Sequence, residues 1–259
     1  LRFNFSIMAG AENIKPYHNS DAEKKEQVAE MFNNISKRYD LLNHLFSFGV
    51  DVLWRKRAVR ILRKERPVRV MDMATGTADF AIEAVRMGLK DAHITGVDIS
   101  PGMLAVGRKK IAKRGYTDRI ELMEGDSVAL PFEDGHFDAF TVAFGVRNFE
   151  QLEAGLSEMR RVLRPGGLGI VLEFSKPQRF PMKQLFGVYF RFIMPTIGKL
   201  VSKDHAAYAY LPESVNAFPE GQAFLDILER TGYTGVQAIP LTGGIASIYL
   251  GRQPETPSA

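Results

Sequence analysis

Asp72, Asp98 and Asp126 each stand at or just past the end of an apolar run, in RVMDMATGTADF (69–80), TGVDIS (95–100) and EGDSVALPF (124–132). If the three runs are parallel strands, their ends share one edge of a sheet, and the three carboxylates converge on a single crevice. A carboxylate there can accept hydrogen bonds from both hydroxyls of a ribose. Capping of the following helix accounts for any one of these acids, but poorly for all three in register. The turn after Asp72, Ala74-Thr75-Gly76-Thr77-Ala78, is made of small residues that let backbone approach a ligand closely. A dinucleotide turn would place glycines in a G-x-G-x-x-G spacing; around Gly76 those places hold Ala74 and Asp79.

A turn without those glycines suits a nucleoside that has no pyrophosphate. The residues therefore point to S-adenosyl-L-methionine, with Asp72 and Gly76 building the turn, Asp98 at the ribose and Asp126 at the adenine edge. Ala74 and Ala78 stand where glycine is common in such turns, and alanine adopts positive φ only at a cost.

The elements that must hold these residues follow from periodicity. Strands read at 68–73, 93–98, 120–124, 137–144 and 167–174, and helices near 78–87, 101–114 and 150–163. Alternation of this kind predicts a mostly parallel sheet covered on both faces. A helix at 219–231 and two closing runs, 234–240 and 245–251, predict a C-terminal antiparallel hairpin. The expected fold is that of the class I S-adenosylmethionine-dependent methyltransferases, an α/β Rossmann-like sheet of seven strands. Before it, helices at about 20–39 and 51–64 form an N-terminal helical cover (20–66), and 181–216 reads as a helical insertion. LRPGG (163–167) reads as a turn ahead of the fifth strand. Residues 20–252 make one domain; 1–19, with Met8 read as a start and 1–7 as an extension, and 253–259 read as mobile ends.

Across its 259 residues the chain has no cysteine, which excludes disulfides, thiolate metal ligands and thiol nucleophiles. No metal-ligand cluster is visible. The net charge of +4 permits an anionic partner or membrane surface. The most apolar stretch, 184–201, is interrupted by Arg191, Pro195 and Lys199, so no run reads as a membrane span.

Three segments resemble one family closely. YDLLNHLFSFGVDVLW (Tyr39–Trp54) and RVLRPGGLGIVLEFSKP (Arg161–Pro177) are similar to the two signature segments of the ubiquinone/menaquinone biosynthesis C-methyltransferases. FDAFTVAFGVRNF (Phe137–Phe149) also resembles that family, and the similarity extends over about 25–252. Asp51 departs from it, standing where family members often carry histidine. The resemblance implies C-methylation of a polyprenylated quinol, most simply demethylmenaquinol to menaquinol, with the benzoquinol of ubiquinone synthesis as a second acceptor. It carries over cofactor contacts to Thr77, Asp98, Asp126 and Ser127. It also marks Ala143, where a serine sometimes occurs and a methyl group offers only packing or backbone contact.

A quinol ring carbon becomes nucleophilic when its hydroxyl loses a proton, so the site needs a base and a phenolate stabiliser. Arg147 and Asn148, after the fourth strand, should face the donor; Arg147 stabilises the phenolate or organises a water, since a guanidinium is no base. His44 has the natural pKa for a base, and Glu173, ending the fifth strand, is a second candidate. Tyr39, Asp40 and Asn43 begin a segment expected to fold with 181–216 across the pocket and to order on ligand binding. Phe186, Tyr189 and Phe190 would line an entry for the prenyl tail. A long tail favours work at the bilayer surface, hence an expected cytoplasmic location at the inner membrane face. Nucleic acid is not an expected partner; a homodimer is left open. Two alternatives stay open at this point, a methyltransferase for RNA or another small molecule and a nicotinamide oxidoreductase.

Overall fold

The alternation of strand and helix beginning at Arg69 builds one seven-stranded sheet of order β3-β2-β1-β4-β5-β7-β6. The structure, a computed structural model, describes residues 14–17, 20–40, 47, 49–189 and 205–255. Its strands are β1 (Arg69–Met73), β2 (His93–Asp98), β3 (Ile120–Glu124), β4 (Phe137–Ala143), β5 (Leu163–Phe174), β6 (Thr234–Leu241) and β7 (Ala246–Arg252). The first five pair in parallel, and β7 enters antiparallel between β5 and β6. The expected closing hairpin is present, with its second strand as the one inserted into the sheet. Strand order reverses at β1, between β2 and β4, and the crevice outside the carboxyl ends there is where such sheets bind ligands.

Period-2 alternation sends successive side chains to opposite faces. Val70, Ile94, Ala139 and Ile170 face a core built with α2 (Val50–Lys64), α3 (Asp79–Arg86) and α4 (Pro101–Lys113). Met71, Val97, Phe140 and Val171 face a second core with α5 (Leu152–Arg161) and α8 (Gln222–Arg230). The insertion supplies α6 (Met182–Val188) and α7 (His205–Ala217).

Two boundaries differ from the sequence reading, each for a local reason. α1 (Lys24–Ile35) starts later than Ser20, because the Gln27 carboxamide accepts from the Tyr17 amide at 2.9 Å and donates to the carbonyls of Ser20 and Ala22. Those bonds hold 20–23 in a non-helical path. β5 starts earlier than 167: Leu163 already pairs with Phe137, the register then shifts so that Ala139 meets Leu168, and Arg164–Gly167 bulge out between.

The N-terminal cover lies over the carboxyl ends of the strands and is tied down by named bonds. Lys24 is buried, its amide donating to Glu150 at 3.0 Å and its ammonium to the Phe149 carbonyl at 3.1 Å. Asn33 Oδ1 accepts from the Ser100 hydroxyl and the Gly102 amide, both at 2.8 Å, so α1 sits on the start of α4. The cover is thus seated on the sheet by contacts within the chain.

Candidate active site

A cavity of about 220 Å³ opens at the topological switch point. Its floor comes from the end of β1 (Met73, Ala74, Gly76) and the end of β2 (Asp98, Ile99). Asp126 and Ser127 enter after β3, and Ala143, Phe144 and Asn148 after β4. Its roof is Lys25, Val28 and Phe32 of α1, with Tyr39 beyond. The three strand-end segments therefore do converge, and five of the expected cofactor positions (Gly76, Asp98, Asp126, Ser127 and Ala143) line one space.

Asp98 is the best-placed acid. One carboxylate oxygen accepts from the Gly76 amide at 2.8 Å and the other from the Ser100 amide at 2.9 Å. These bonds fix its orientation while leaving lone pairs toward the cavity. Burial pushes its pKa up to about 6, against the backbone amides that favour the charged form. Asp126 meets the roof, where Lys25 Nζ lies 2.7 Å from its Oδ2. That bond and the Asp126 charge raise the Lys25 pKa.

Asp72 and Thr77 lie beside this space and line a smaller one of about 40 Å³. The Asp72 carboxylate accepts from Thr75 Oγ1 at 2.6 Å and from Thr141 Oγ1 at 2.7 Å, which locks the turn to β1 and β4. It is almost wholly buried, and burial lifts its pKa to about 6. The Thr77 hydroxyl donates to Asp40 at 2.5 Å and accepts from Lys110 at 3.0 Å. Lys110 also pairs with Asp40 at 2.6 Å and with Asp79. Asp40 thus acts in the structure as a latch from the cover to the turn.

The turn is strained where the sequence suggested it would be. Ala74 has φ +53° and Ala78 φ +64°, beside Gly76 at +56°. Phe144, at φ +59°, is a third non-glycine residue in this region of the map, and Ala74 and Phe144 line the crevice. A left-handed residue with a side chain costs about 1–2 kcal/mol. Thr75 N bonding to the Val97 carbonyl at 3.1 Å and Ala78 N to the Thr75 carbonyl at 2.9 Å hold the turn in this shape. Gly145 allows the close approach of the β4 loop: a Cβ there would sit 2.5 Å from that of Ala74.

Arg147 and Asn148 belong to a short 3₁₀ turn (Val146–Asn148). Asn148 lines the cavity, whereas Arg147 is directed to Glu173, with Nη1 2.9 Å from Oε1. Arg147 also donates to the Phe144 carbonyl and stacks its guanidinium 5.5 Å from the Phe174 ring centroid. Glu173 is fully buried; burial raises its pKa, and the Arg147 charge offsets only part of that. Glu173 is therefore half of an interior ion pair that also accepts from the Phe174 amide at 2.9 Å, and it does not line the 220 Å³ cavity. Trp54 packs against Phe144 and Phe174 and donates to Thr242 at 2.8 Å, a packing role.

Phe186 and Tyr189, on and just after α6, are half-buried and do not line the 220 Å³ cavity. Burial lifts the Tyr189 pKa to about 12. Asn43, His44 and Phe190 lie outside the described residues. Asp51, where family members often carry histidine, pairs with Arg55 at 2.5 Å and accepts from Ser47 at 2.5 Å. Among the described residues no group of acids and histidines is arranged to hold a metal ion.

The sequence of the ubiE/COQ5 methyltransferase family matches residues 20–253. The chain belongs to this family. It is 50% identical over 238 residues to the demethylmenaquinone methyltransferase of Bacteroides fragilis, covering 92% of this chain and 96% of that one. It is 44% identical over 231 residues to the ubiquinone/menaquinone biosynthesis C-methyltransferase UbiE of Geobacter sulfurreducens, covering 89% and 90%. In fold it resembles an S-adenosyl-L-methionine-dependent methyltransferase from Methanococcus maripaludis (TM-score 0.58, 18% identity, 94% and 99% coverage). A putative O-methyltransferase from Nostoc punctiforme is similar too (TM-score 0.65, 15% identity, 95% and 69% coverage). The chain is an S-adenosyl-L-methionine-dependent methyltransferase, and the nicotinamide alternative is set aside.

Some residues of the site were not legible in the sequence. Lys25, Glu150 and Lys110 were not singled out, because their partners lie between 31 and 126 positions away. Asn33 was not singled out either, since its partners Ser100 and Gly102 lie at the start of another helix.

Proposed function

We propose that this chain transfers the methyl group of S-adenosyl-L-methionine to a ring carbon of a polyprenylated quinol, demethylmenaquinol above all. One observation carries the reading: one residue in two is shared with the demethylmenaquinone methyltransferase of B. fragilis over nearly both whole chains. The site chemistry supports it. Asp98 is oriented for ribose hydroxyls, and Asp126 lies where the adenine edge would come. The α1 roof keeps water from the sulfonium.

The acceptor ring loses its hydroxyl proton, and its electron density moves to the adjacent carbon. That carbon attacks the methyl group in line with the departing sulfur. A C–C bond forms as the C–S bond breaks, the ring carbon then gives up its proton, and S-adenosylhomocysteine leaves. Alignment and exclusion of water are what the protein supplies. Arg147, neutralised by Glu173, places a guanidinium beside Asn148, where a developing phenolate would be stabilised.

A polyprenyl acceptor resides in a bilayer, and the surface around α6 suits such a meeting. Phe180 is 82% exposed, Leu185 59% and Val188 52%, and α6 buries none of its residues. Lys176, Arg179 and Lys183 accompany them with no acid between Ser175 and Tyr189. Lys176 pairs with Glu220 at 3.6 Å, and apolar side chains accompanied by Arg179 and Lys183 favour an anionic membrane surface. No helix among the described residues is long and apolar enough to cross a membrane.

The test is transfer from labelled donor to a short-chain demethylmenaquinol, with the product examined by mass spectrometry and NMR. One methyl on ring carbon per S-adenosylhomocysteine formed is expected. Methylation on oxygen, or no transfer, would overturn the reading. Transfer to RNA in the same assay would favour the alternative acceptor.

A further inference from the structure

Four side-chain polar atoms among the described residues are buried without a hydrogen-bond partner: Arg147 Nε, Asn148 Oδ1, Tyr210 Oη and Arg160 Nε. Arg160 lies apart, its guanidinium against Gly232 and Gln253. The other three belong to one neighbourhood. Helix α7, which carries Tyr210, packs against the Val146–Asn148 turn. Tyr210 itself is 3% exposed and packs on Val28 and Met31 of α1, and Val28 and Asn148 both line the donor cavity. Its phenol feels the charges of both Arg147 and Glu173.

Buried polar groups are nearly always paired, and an unpaired cluster in a folded protein calls for a partner. Here the vacant atoms comprise a guanidinium N–H donor, a carboxamide oxygen acceptor and a phenol that can do either. That set matches a ring hydroxyl. The hydroxyl oxygen accepts from Arg147 Nε, and its hydrogen is donated to Asn148 Oδ1. Once the proton has left, the phenolate accepts from both Arg147 and Tyr210. An apolar ring, or a hydroxyl capped by a methyl ether, could not satisfy Asn148.

We propose that Tyr210 is a substrate-binding residue, hydrogen-bonding the oxygen of a hydroxylated aromatic ring held jointly by Arg147 and Asn148. The proposal rests on the quinol reading above and adds to it the group that fixes the ring. Burial raises the Tyr210 pKa, so it remains a donor and is not the base. The residue escapes a motif search because it lies late in the insertion, 62 positions beyond Asn148 in sequence.

Tyr210→Phe keeps the ring and removes only the unpartnered hydroxyl. With the full chain, a short-chain demethylmenaquinol kept reduced and S-adenosyl-L-methionine, kcat/KM should fall at least tenfold. Donor affinity should stay within about twofold and the melting temperature of the ligand-free protein should not fall. Calorimetry should show the wild type preferring the quinol to its dimethyl ether, and Tyr210→Phe losing most of that preference. Wild-type kcat/KM in the variant, or a lower melting temperature with weaker donor binding, would overturn the proposal. If the wild type transfers no methyl to the quinol, the functional reading fails by itself. The quinol-against-ether comparison then decides Tyr210 alone: a preference lost in the variant sustains it, and no change overturns it.

Discussion

Asp98 Oδ2 accepts from the Gly76 amide at 2.8 Å, so the acid that ends β2 is held by the turn that follows β1. The same carboxylate both shapes the turn and lines the cavity. Asp98→Ala should weaken S-adenosyl-L-methionine binding tenfold or more, since charged hydrogen bonds contribute roughly 1.5–3 kcal/mol. Calorimetry on a variant shown to be folded checks this, and NADH should give no comparable heat with either protein.

Because burial lifts Asp98 to about 6, donor binding should depend on pH where an ordinary aspartate would not. The ionised form is the one that accepts from ribose, so affinity should fall as pH drops through about 6, and binding near pH 6 should release protons. For folding the sign is opposite. A raised pKa means that the Asp98 and Asp72 contributions to stability are fullest below the unfolded value and are lost as pH rises through about 6. Proton release measured in two buffers, present in the wild type and missing in Asp98→Asn, isolates Asp98 from Asp72.

Ala74→Gly should stabilise the ligand-free protein by about 1 kcal/mol, since glycine adopts the φ of +53° without the left-handed penalty. Ala78→Gly should gain less, because the Ala78 methyl is fully buried in the α2–α3–α4 core and its loss offsets the relief. Urea midpoints with unchanged slopes would measure both. A destabilised Ala74→Gly would mean that the methyl contributes more by packing than it costs in strain.

The Arg147–Glu173 pair is 7% and 0% exposed at its side chains, so neither charge can fall back on water. Removing one partner leaves the other unpaired in the interior, and Glu173→Gln or Arg147→Ala should each cost about 3–5 kcal/mol of stability. Replacing both by methionine should recover much of that loss while leaving turnover abolished. A double variant that is stable and active would show that the pair serves only the fold.

Asp40→Ala removes the link from the cover to Thr77 and Lys110. Hydrogen exchange in 24–40 should quicken and donor affinity should fall several-fold, with a melting temperature close to wild type. Unchanged exchange would show that the Lys24 and Asn33 contacts hold α1 without Asp40.

Phe180→Ser with Leu185→Ser should abolish co-sedimentation with vesicles containing anionic lipid. Transfer to a short-chain, water-soluble quinol should be unaffected. Loss of both together would place α6 in the site and not at a membrane.

Local pattern determined much of this protein. The lengths and order of the strands, the acids at their ends and the missing glycines are short-range features, and period 2 against period 3.6 separates strand from helix without tertiary help. That Asp98 and Asp126 share one crevice was legible because a parallel sheet brings successive strand ends to one edge whatever the loops do, whereas Ser127 came from the family resemblance. The positive φ of Ala74 and Ala78 falls at the two positions where the sequence has alanine in place of a glycine common in such turns. Tertiary structure alone decided that Asp72 is consumed by Thr75 and Thr141, that Glu173 neutralises Arg147, and that Asp40 and Lys25 tie the cover to the sheet. It also brought Tyr210 to the turn that carries Asn148. Each of these depends on which of many similar polar groups comes within about 3 Å of another across tens of intervening residues. Hydrogen bonds and ion pairs at that range leave no period in a sequence, and they form only where packing has already placed the backbone.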